Sequence, residues 1–172
     1  KTLELKIPPA VVFLFCIGLL WLTDSYLPQL FHLSISKWII RPLLALGVLT
    51  GIAGVIQFAV QSTSVNPHKP DHASSIVTSG VYRLSRNPMY LGMLFILLAA
   101  VLKFGHPLFL ILLPFYVWYM NRFQIIPEES VMEEKFGEEY RSYKQGSGAG
   151  FSPLAFFPPT EPPAESGTQS AT

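Results

Sequence analysis

Three short polar strings interrupt an otherwise apolar chain: residues 74–82, 86–92 and 121–129. Their residue types suit the binding of a charged organic ligand. Glu128 offers a carboxylate to a cation or to a pair of hydroxyls. Tyr82 and Tyr90 can present ring faces to a cation. Backbone groups of residues 74–77 can pair with a purine edge. Two arginines can hold an anionic group by forked hydrogen bonds, Arg86 and Arg122. The set favours a ligand with a cationic centre, a base and a carboxylate.

Each string also has a simpler structural explanation. Asn87 and Pro88 make a good helix start, because Asn caps a helix and Pro fits its first turn. Residues 127–129, Pro-Glu-Glu, are likewise typical of a helix N-terminus, where the dipole favours acids. Arg83 and Arg86 can anchor to phosphate headgroups. The functional interpretation depends on the three strings meeting at one level of a membrane, where ionisable residues indicate a functional site by default.

Other chemistries have little support in the residue pattern. His68 and His72 are four positions apart, but Pro70 disfavours the helix that would place both on one face, so we predict no metal site. We find no Ser-His-Asp or Cys-His nucleophile set, no phosphate-binding glycine loop and no dinucleotide fingerprint. The single cysteine, Cys16, lies inside an apolar run and has no partner for an internal disulfide.

Composition predicts an integral membrane protein. Half of the 172 residues are hydrophobic and 13% are charged, whereas soluble domains carry about 25% charged residues. The mean hydropathy is +0.39. The net charge of +1 gives no basic surface for nucleic acid, so we predict membrane lipid but no nucleic acid among the partners.

Four apolar runs predict an all-α fold with about four transmembrane helices, since a span needs about 20 mostly apolar residues. The runs are approximately Pro9 to Leu30, Trp38 to Val60, Met89 to Phe104 and Leu108 to Met120. Gly-His-Pro at 105–107 separates the last two, which we expect to form a tight helical hairpin. In the second run, Gly47, Gly51 and Gly54 either allow close helix contact in lipid or are ordinary membrane-helix glycines.

After the last apolar run, we predict an amphipathic helix from Pro127 to Tyr143. Its apolar residues recur at helical spacing among charged ones, and Gly137 weakens it at mid-length. These elements make one membrane-embedded domain, residues 1–145. The remaining residues, 146–172, are rich in Gly, Pro, Ser and Thr and are predicted to form a disordered tail.

The basic residues predict the orientation of the chain, because Lys and Arg concentrate in cytoplasmic loops. Nine of them fall on one side of the predicted spans: Lys1, Lys6, Lys69, Arg83, Arg86, Arg122, Lys135, Arg141 and Lys144. Three fall on or near the other side: Lys37, Arg41 and Lys103. We therefore expect both termini and the 61–88 loop to be cytoplasmic, in an inner membrane. Residues 8–23 are not predicted to be a cleaved signal peptide, since no small-residue cleavage site follows them.

Four ordered motifs at matching spacing resemble the isoprenylcysteine carboxyl methyltransferase family, which is related to the membrane phospholipid N-methyltransferases. The motifs are residues 77–82, 86–92, 127–129 and 136–143. The resemblance runs from about Asn66 to Lys144, nearly half of the chain, whereas the first two helices match only as hydrophobic segments. The asparagine at position 87 is similar to the residue of the small bacterial members, whereas eukaryotic members usually carry His at that position.

The resemblance implies a membrane enzyme that uses S-adenosylmethionine, bound between the helical hairpin and the C-terminal segment within residues 66–145. Carried over by position, the cofactor-binding residues are Ser74, Ser75, Ile76, Val77, Tyr82, Asn87, Pro88, Met89, Tyr90 and Glu128. The implied reaction is methyl transfer to a lipophilic acceptor, a small molecule or a lipidated substrate, with a carboxylate, thiol or amine as the methylated group.

The acceptor side departs from the family pattern. Gln124 stands where eukaryotic members carry an arginine thought to meet the substrate, and the nearest arginine is Arg122. We expect Arg122 and Gln124 to orient the acceptor. A neutral amine or thiol also needs a base, for which Glu129 is the nearby carboxylate. After Tyr143 the chain continues Lys-Gln-Gly-Ser-Gly, not with the basic, Trp-containing ending that the family tends to show.

Two other functions fit parts of the pattern. An NADPH-dependent membrane reductase is one, because sterol reductases share a related helical core, although they are much longer and we find no basic pocket suited to a 2′-phosphate. A non-enzymatic membrane subunit is the other, with the polar strings binding a partner protein or lipid headgroups.

Overall fold

A computed structural model describes residues 5–26, 33–60 and 76–146. Every regular element within these ranges is helical, as the composition predicts. The α-helices are α1 (Pro9–Asp24), α2 (Lys37–Val60), α3 (Pro88–Phe104), α4 (Leu112–Met120), α5 (Ile126–Phe136) and α6 (Glu138–Gly146). Short 3-10 helices lie at Gly80–Arg83 and Pro107–Ile111, and a π-helical turn lies at Asn121–Ile125.

The helix boundaries follow the proline and glycine signals of the sequence. Helix α3 begins with Pro88 directly after Asn87, because the fixed backbone of proline suits the first helical position. The same helix ends at Gly105, which adopts a left-handed conformation with φ of 68°. A 3-10 turn from Pro107 then leads into α4. The predicted helical hairpin of α3 and α4 is therefore confirmed.

Helices α2 and α3 make a close contact through glycines. A Cβ atom built on Gly47 would lie 2.8 Å from the carbonyl oxygen of Gly92, and one built on Gly92 would lie 2.7 Å from the carbonyl oxygen of Gly47. Gly54 packs on Pro88 and Met89 in the same interface. The helix-contact interpretation is thus confirmed for Gly47 and Gly54, since a larger residue there would push the two backbones apart. A Cβ atom on Gly51 would meet nothing within 4 Å.

Helix α1 joins this pair through a core shared with α3 and α4. Cys16 and Leu20 of α1 are fully buried among side chains such as Leu97 and Tyr116. The outer sides of α1 and α2 expose large apolar residues, including Trp21 and Trp38. A surface of this kind is typical of helices that face lipid.

Within residues 5–26, 33–60 and 76–146, two helices are long and apolar enough to cross a membrane. They are α2, with 24 residues, and the continuous 30-residue helix Pro107–Phe136 that contains α4 and α5. The other two apolar helices have 16 and 17 residues, so they extend about 24–26 Å at 1.5 Å per residue. The total of four transmembrane helices therefore stays a prediction.

The predicted amphipathic helix from Pro127 to Tyr143 is wrong as a single element. Gly137, with φ of 53°, separates α5 from α6, because its backbone leaves the helical region. Helix α5 instead continues α4 through the π turn Asn121–Ile125. The predicted tail beyond Gly146 lies outside the described residues, as do His68 and His72.

Candidate functional site

The centre of the site is a hydrogen bond between Tyr90 and Glu128. The Tyr90 hydroxyl donates to Glu128 Oε1 at 2.6 Å, although 38 positions separate the two residues. Tyr90 lies in the first turn of α3 and is 3% exposed. Glu128 lies in the first turn of α5. The second and third polar strings therefore meet, as the functional interpretation of the sequence requires.

Tyr82 extends this centre from the loop before α3. It is 6% exposed, and within the described residues its hydroxyl has no hydrogen-bond partner. Burial raises the pKa of Tyr82 above its usual range, and the neighbouring Tyr143 and Glu128 raise it further. The Asn87 Nδ2 is a second buried polar atom without a partner in the described part of the chain. Such groups normally find a partner, so both are candidates for binding a ligand.

The loop that carries Tyr82 is fixed to the end of α2 by Gln57. The Nε2 of Gln57 donates to Ser79 Oγ at 2.9 Å, and its Oε1 accepts a hydrogen bond from the backbone N–H of Val81 at 3.1 Å. Gly80 lies between these two contacts with φ of 57°. Gln57 is not among the site residues predicted from the sequence. The feature that indicates it is a polar amide inside an otherwise apolar helical run, which is costly unless its donor and acceptor are both paired.

A partly buried ion network joins α5, α6 and the start of α3. Arg86 Nε contacts Glu129 Oε1 at 2.9 Å, and Lys144 Nζ contacts the other carboxylate oxygen, Oε2, at 3.0 Å. Lys144 also pairs with Glu133 at 2.6 Å. The side chains of Arg86 and Glu129 are 9% and 13% exposed. Both oxygens of Glu129 are therefore engaged, a geometry that suits a positioning residue better than a general base.

The network also fixes α6 against the site. Arg86 Nη1 donates to the backbone carbonyl of Lys144 at 3.3 Å, and the Tyr143 hydroxyl donates to the carbonyl of Tyr82 at 2.8 Å. Burial lowers the pKa of Lys144, but hydrogen bonds and charges from Glu133 and Glu129 outweigh that effect and raise it above its ordinary value. Helix α6 thus lies against the loop that carries Tyr82.

The structure does not bring the side chains of Arg122 and Gln124 together. Arg122 is exposed and its guanidinium lies 5.5 Å from the ring centre of Phe123. Gln124, in the π turn, is completely buried and donates from Nε2 to the carbonyl of Ile7 at 2.7 Å. Its other end, Oε1, is buried without a partner in the described residues. The acceptor roles of Arg122, Gln124 and Glu129 stay predictions.

The remaining predicted cofactor-binding residues lie on the segments that lead to Tyr82 and Tyr90 or outside the described residues. Pro88 is fully buried at the start of α3, and Ile76 and Val77 are buried in the preceding segment. Ser74 and Ser75 lie outside the described residues. Among the residues that the structure describes, no group of three His, Cys, Asp or Glu side chains could hold a metal ion.

Met89 connects the site to an apolar groove. The groove, here called the α2–α3 groove, has a volume of about 450 Å³. It is lined entirely by glycine and apolar side chains: Phe13, Gly47, Val48, Gly51, Ile52, Val55, Ile56, Met89, Gly92, Met93 and Ile96. A hydrocarbon chain fits such a lining, because the groove offers no polar side chain.

The fold and the site together define a helical protein with two helices apolar enough to cross a membrane and a buried polar centre between α3 and α5. The profile of the phospholipid methyltransferase family matches residues 37–139, more than half of the chain. The chain belongs to this family. The matched region includes α2, α3, α4 and α5, and therefore the whole centre around Tyr90 and Glu128.

Two individual proteins are similar to parts of the chain. An uncharacterized protein of Haemophilus influenzae is 47% identical over 57 residues, which are 33% of this chain and 90% of that protein. The protein-S-isoprenylcysteine O-methyltransferase of Saccharomyces cerevisiae is 36% identical over 80 residues, 46% of this chain and one third (33%) of the yeast enzyme. No solved structure matches the chain significantly. The resemblance to isoprenylcysteine methyltransferases and their phospholipid-modifying relatives is thus confirmed.

Proposed function

We propose that the protein transfers a methyl group from S-adenosylmethionine to a lipophilic acceptor at the surface of a membrane. The observation that carries the proposal is the hydrogen bond between Tyr90 and Glu128, which joins two family motifs into one buried polar centre. The family to which the chain belongs supports methyl transfer as the reaction. The identity of the donor rests on the resemblance and on the fit of the centre.

The residues of the centre fit the proposed donor. S-adenosylmethionine, when bound, supplies a methyl group on a sulfonium already activated for transfer. The second carboxylate oxygen of Glu128, for which the described residues show no hydrogen bond, can accept hydrogen bonds from an ammonium or a ribose. The faces of Tyr82 and Tyr90 suit a cationic centre. The Tyr82 hydroxyl and the Asn87 Nδ2 offer polar groups that no described residue satisfies. We propose that the donor lies among these residues, Pro88, Met89 and the segment 74–77.

The protein then contributes alignment and exclusion of water. Holding two reactants in the right geometry can lower a barrier by about 7–11 kcal/mol. The centre is suited to this, because Tyr90 is held by Glu128, and α6 covers the Tyr82 loop through Tyr143. A carboxylate or thiolate acceptor needs no proton removed by the protein. The engaged geometry of Glu129 therefore favours acceptors of that kind over a neutral amine.

The α2–α3 groove supports an acceptor with a hydrocarbon chain. It is apolar throughout, and Met89 lies in its wall while the next residue, Tyr90, forms the polar centre. We propose that the chain of the acceptor occupies this groove and presents its polar end at the centre. Arg122 and Gln124 stay proposed as residues that orient that polar end.

We further propose that the chain is embedded in the membrane through α1 to α4. The polar centre then lies at the cytoplasmic interface, with both termini on that side, in an inner membrane. The exposed tryptophans and leucines of α1 and α2 support this placement. The donor-binding part corresponds to residues 66–145.

A direct test is titration of the detergent-purified protein with S-adenosylhomocysteine in a calorimeter. We expect binding by the wild type and weaker binding by Glu128→Gln. Failure of the wild type to bind would remove the proposal, and a thermal shift with NADPH in its place would point to a reductase. The acceptor is then sought by incubation with radiolabelled S-adenosylmethionine and a total lipid and protein extract, followed by identification of the labelled species.

A further inference from the structure

The polar side chain of Gln57 is placed in a helical segment that is otherwise apolar. Residues 51–60 of α2 contain no other side chain that can form hydrogen bonds. An amide in such surroundings is costly unless its donor and acceptor are both used. Both are used here, by Ser79 Oγ at 2.9 Å and by the backbone N–H of Val81 at 3.1 Å. The bonds do not stabilise α2 itself but connect it to the loop before α3.

Gly80 completes the contact. A Cβ atom at this position would overlap the Gln57 amide, and φ of 57° is a conformation that other residues rarely adopt. The Gln57 amide therefore packs on the Cα atom of Gly80 and forms hydrogen bonds with Ser79 and Val81, the residues on either side of Gly80. One side chain thus fixes three consecutive residues of the loop.

The next residue in that loop is Tyr82. Its N–H donates to the carbonyl of Ser79 at 3.1 Å, so the turn that Gln57 fixes also sets the position of Tyr82. Phe58, the neighbour of Gln57 in α2, places its ring centre 6.3 Å from that of Tyr82. Gln57 and Phe58, two adjacent residues of α2, therefore both help to position the buried Tyr82.

We infer that Gln57 is a positioning residue for the methyl donor. It acts through Ser79, Gly80 and Val81 to hold Tyr82 beside Glu128 and makes no contact with the donor itself. The inference rests on the proposed function, because it assigns Tyr82 to the donor side of the centre. It adds a residue of α2 to a donor site that the sequence motifs place only between residues 66 and 145.

The test compares two substitutions at this position in the full chain, purified in detergent. Gln57→Leu removes both hydrogen bonds at similar volume, whereas Gln57→Glu keeps an acceptor for Val81 and can accept from the Ser79 hydroxyl. Since each bond contributes a modest amount, we expect Gln57→Leu to weaken S-adenosylhomocysteine binding roughly tenfold. The KM for the donor should rise to the same extent, with kcat at saturating donor unchanged. Gln57→Glu should restore most of the affinity. Gln145→Leu, at an exposed position, is the matched control and should bind like the wild type.

The outcomes separate this inference from the proposed function. If the wild type fails to bind S-adenosylhomocysteine, both are overturned. If the wild type binds and Gln57→Leu keeps the same affinity and donor KM, the inference alone is overturned. A fall in kcat with an unchanged donor KM would also overturn it, since that result indicates a general structural role. Should Gln57→Leu not fold, Ser79→Ala removes one of the two bonds and should raise the donor KM roughly threefold; an unchanged KM would refute the inference.

Discussion

Arg86 and Glu129 form a largely buried ion pair at 2.9 Å, although 43 positions separate them in the chain. Arg86 directly precedes the Asn87-Pro88 start of α3, and Glu129 directly follows the Glu128 that bonds Tyr90. The ion pair and the Tyr90–Glu128 hydrogen bond therefore join the same two helix starts side by side. The two adjacent acids thus have different surroundings: two cations contact Glu129, whereas Glu128 bonds Tyr90 through one oxygen.

The first prediction concerns the stability that this ion pair provides. Arg86→Leu leaves the largely buried Glu129 carboxylate with one of its two cations, Lys144, so we expect a loss of about 2 kcal/mol in the free energy of unfolding. Arg141→Leu removes an arginine from an exposed pair with Glu138 and should cost less than about 1 kcal/mol. Thermal unfolding in the same detergent measures both. Equal effects of the two substitutions would show that the pair with Glu129 has no special importance.

The second prediction is a pH dependence of the contact between α6 and the site. The pKa of Lys144 is raised above its ordinary value of 10.5 by Glu133 and Glu129, so folding favours its charged form. The resulting stabilisation is fully present below pH 10.5 and is lost as the pH rises through the higher pKa of the folded state. Protease cleavage within α6 should therefore accelerate above pH 10.5 in the wild type. Lys144→Met should be cleaved faster than the wild type already at neutral pH, and its cleavage rate should change little as the pH rises. If the variant has the same pH profile as the wild type, Lys144 is not the cause of the pH dependence.

The third prediction tests the centre of the site. Tyr90→Phe removes a hydroxyl that donates to a carboxylate, an interaction of about 1.5 kcal/mol, so S-adenosylhomocysteine should bind roughly tenfold more weakly. Tyr26→Phe is the matched control, because Tyr26 is 80% exposed just after α1 and belongs to no part of the site. Calorimetric titration of both variants gives the comparison. A loss of affinity in Tyr26→Phe as large as in Tyr90→Phe would show that the effect is not specific to the bond with Glu128.

Much of this arrangement could be predicted from the sequence. Prolines and glycines punctuate apolar runs, so the starts of α2 and α3 lie within a residue of the expected positions. The convergence of Tyr90 and Glu128 followed from motifs that occur in the same order in a known family. A helical hairpin between the two motifs brings their ends to the same level, and the structure realises this contact.

The rest could not be predicted, for two physical reasons. Helical periodicity does not encode a positive φ, so the break at Gly137 between α5 and α6 was missed. Partner choice among charges depends on how helices cross, so neither the pairing of Arg86 with Glu129 nor that of Gln57 with a distant loop follows from spacing. The predicted base, Glu129, was chosen by proximity in sequence, whereas its partners are set by the position of α6.

The fourth prediction concerns the close contact of α2 and α3. Gly92→Ala places a methyl group within 3 Å of backbone atoms of Gly47 and Gly51, which cannot move independently of their helix. Such overpacking typically costs about 1–3 kcal/mol, so the melting temperature of the variant should fall. Gly18→Ala, where a Cβ meets nothing within 4 Å, should not lower the melting temperature, because alanine favours a helix more than glycine does. A Gly92→Ala variant as stable as the wild type would contradict the packing of these helices.

The fifth prediction tests whether the α2–α3 groove holds the hydrocarbon chain of the acceptor. Gly51 lines the groove, yet a Cβ built on it meets nothing within 4 Å, so Gly51→Leu should fill the groove without separating the helices. We expect the KM for the lipophilic acceptor found by radiolabelling to rise at least fivefold, since a leucine removes volume from a site of about 450 Å³. The affinity for S-adenosylhomocysteine should change much less than the acceptor KM, because Gly51 is not one of the residues that form the polar centre. Gly18→Leu, which lies outside the groove, controls for an added leucine on an apolar helix and should keep the acceptor KM of the wild type. If Gly51→Leu also retains that KM, the acceptor chain lies elsewhere and the groove holds ordinary membrane lipid.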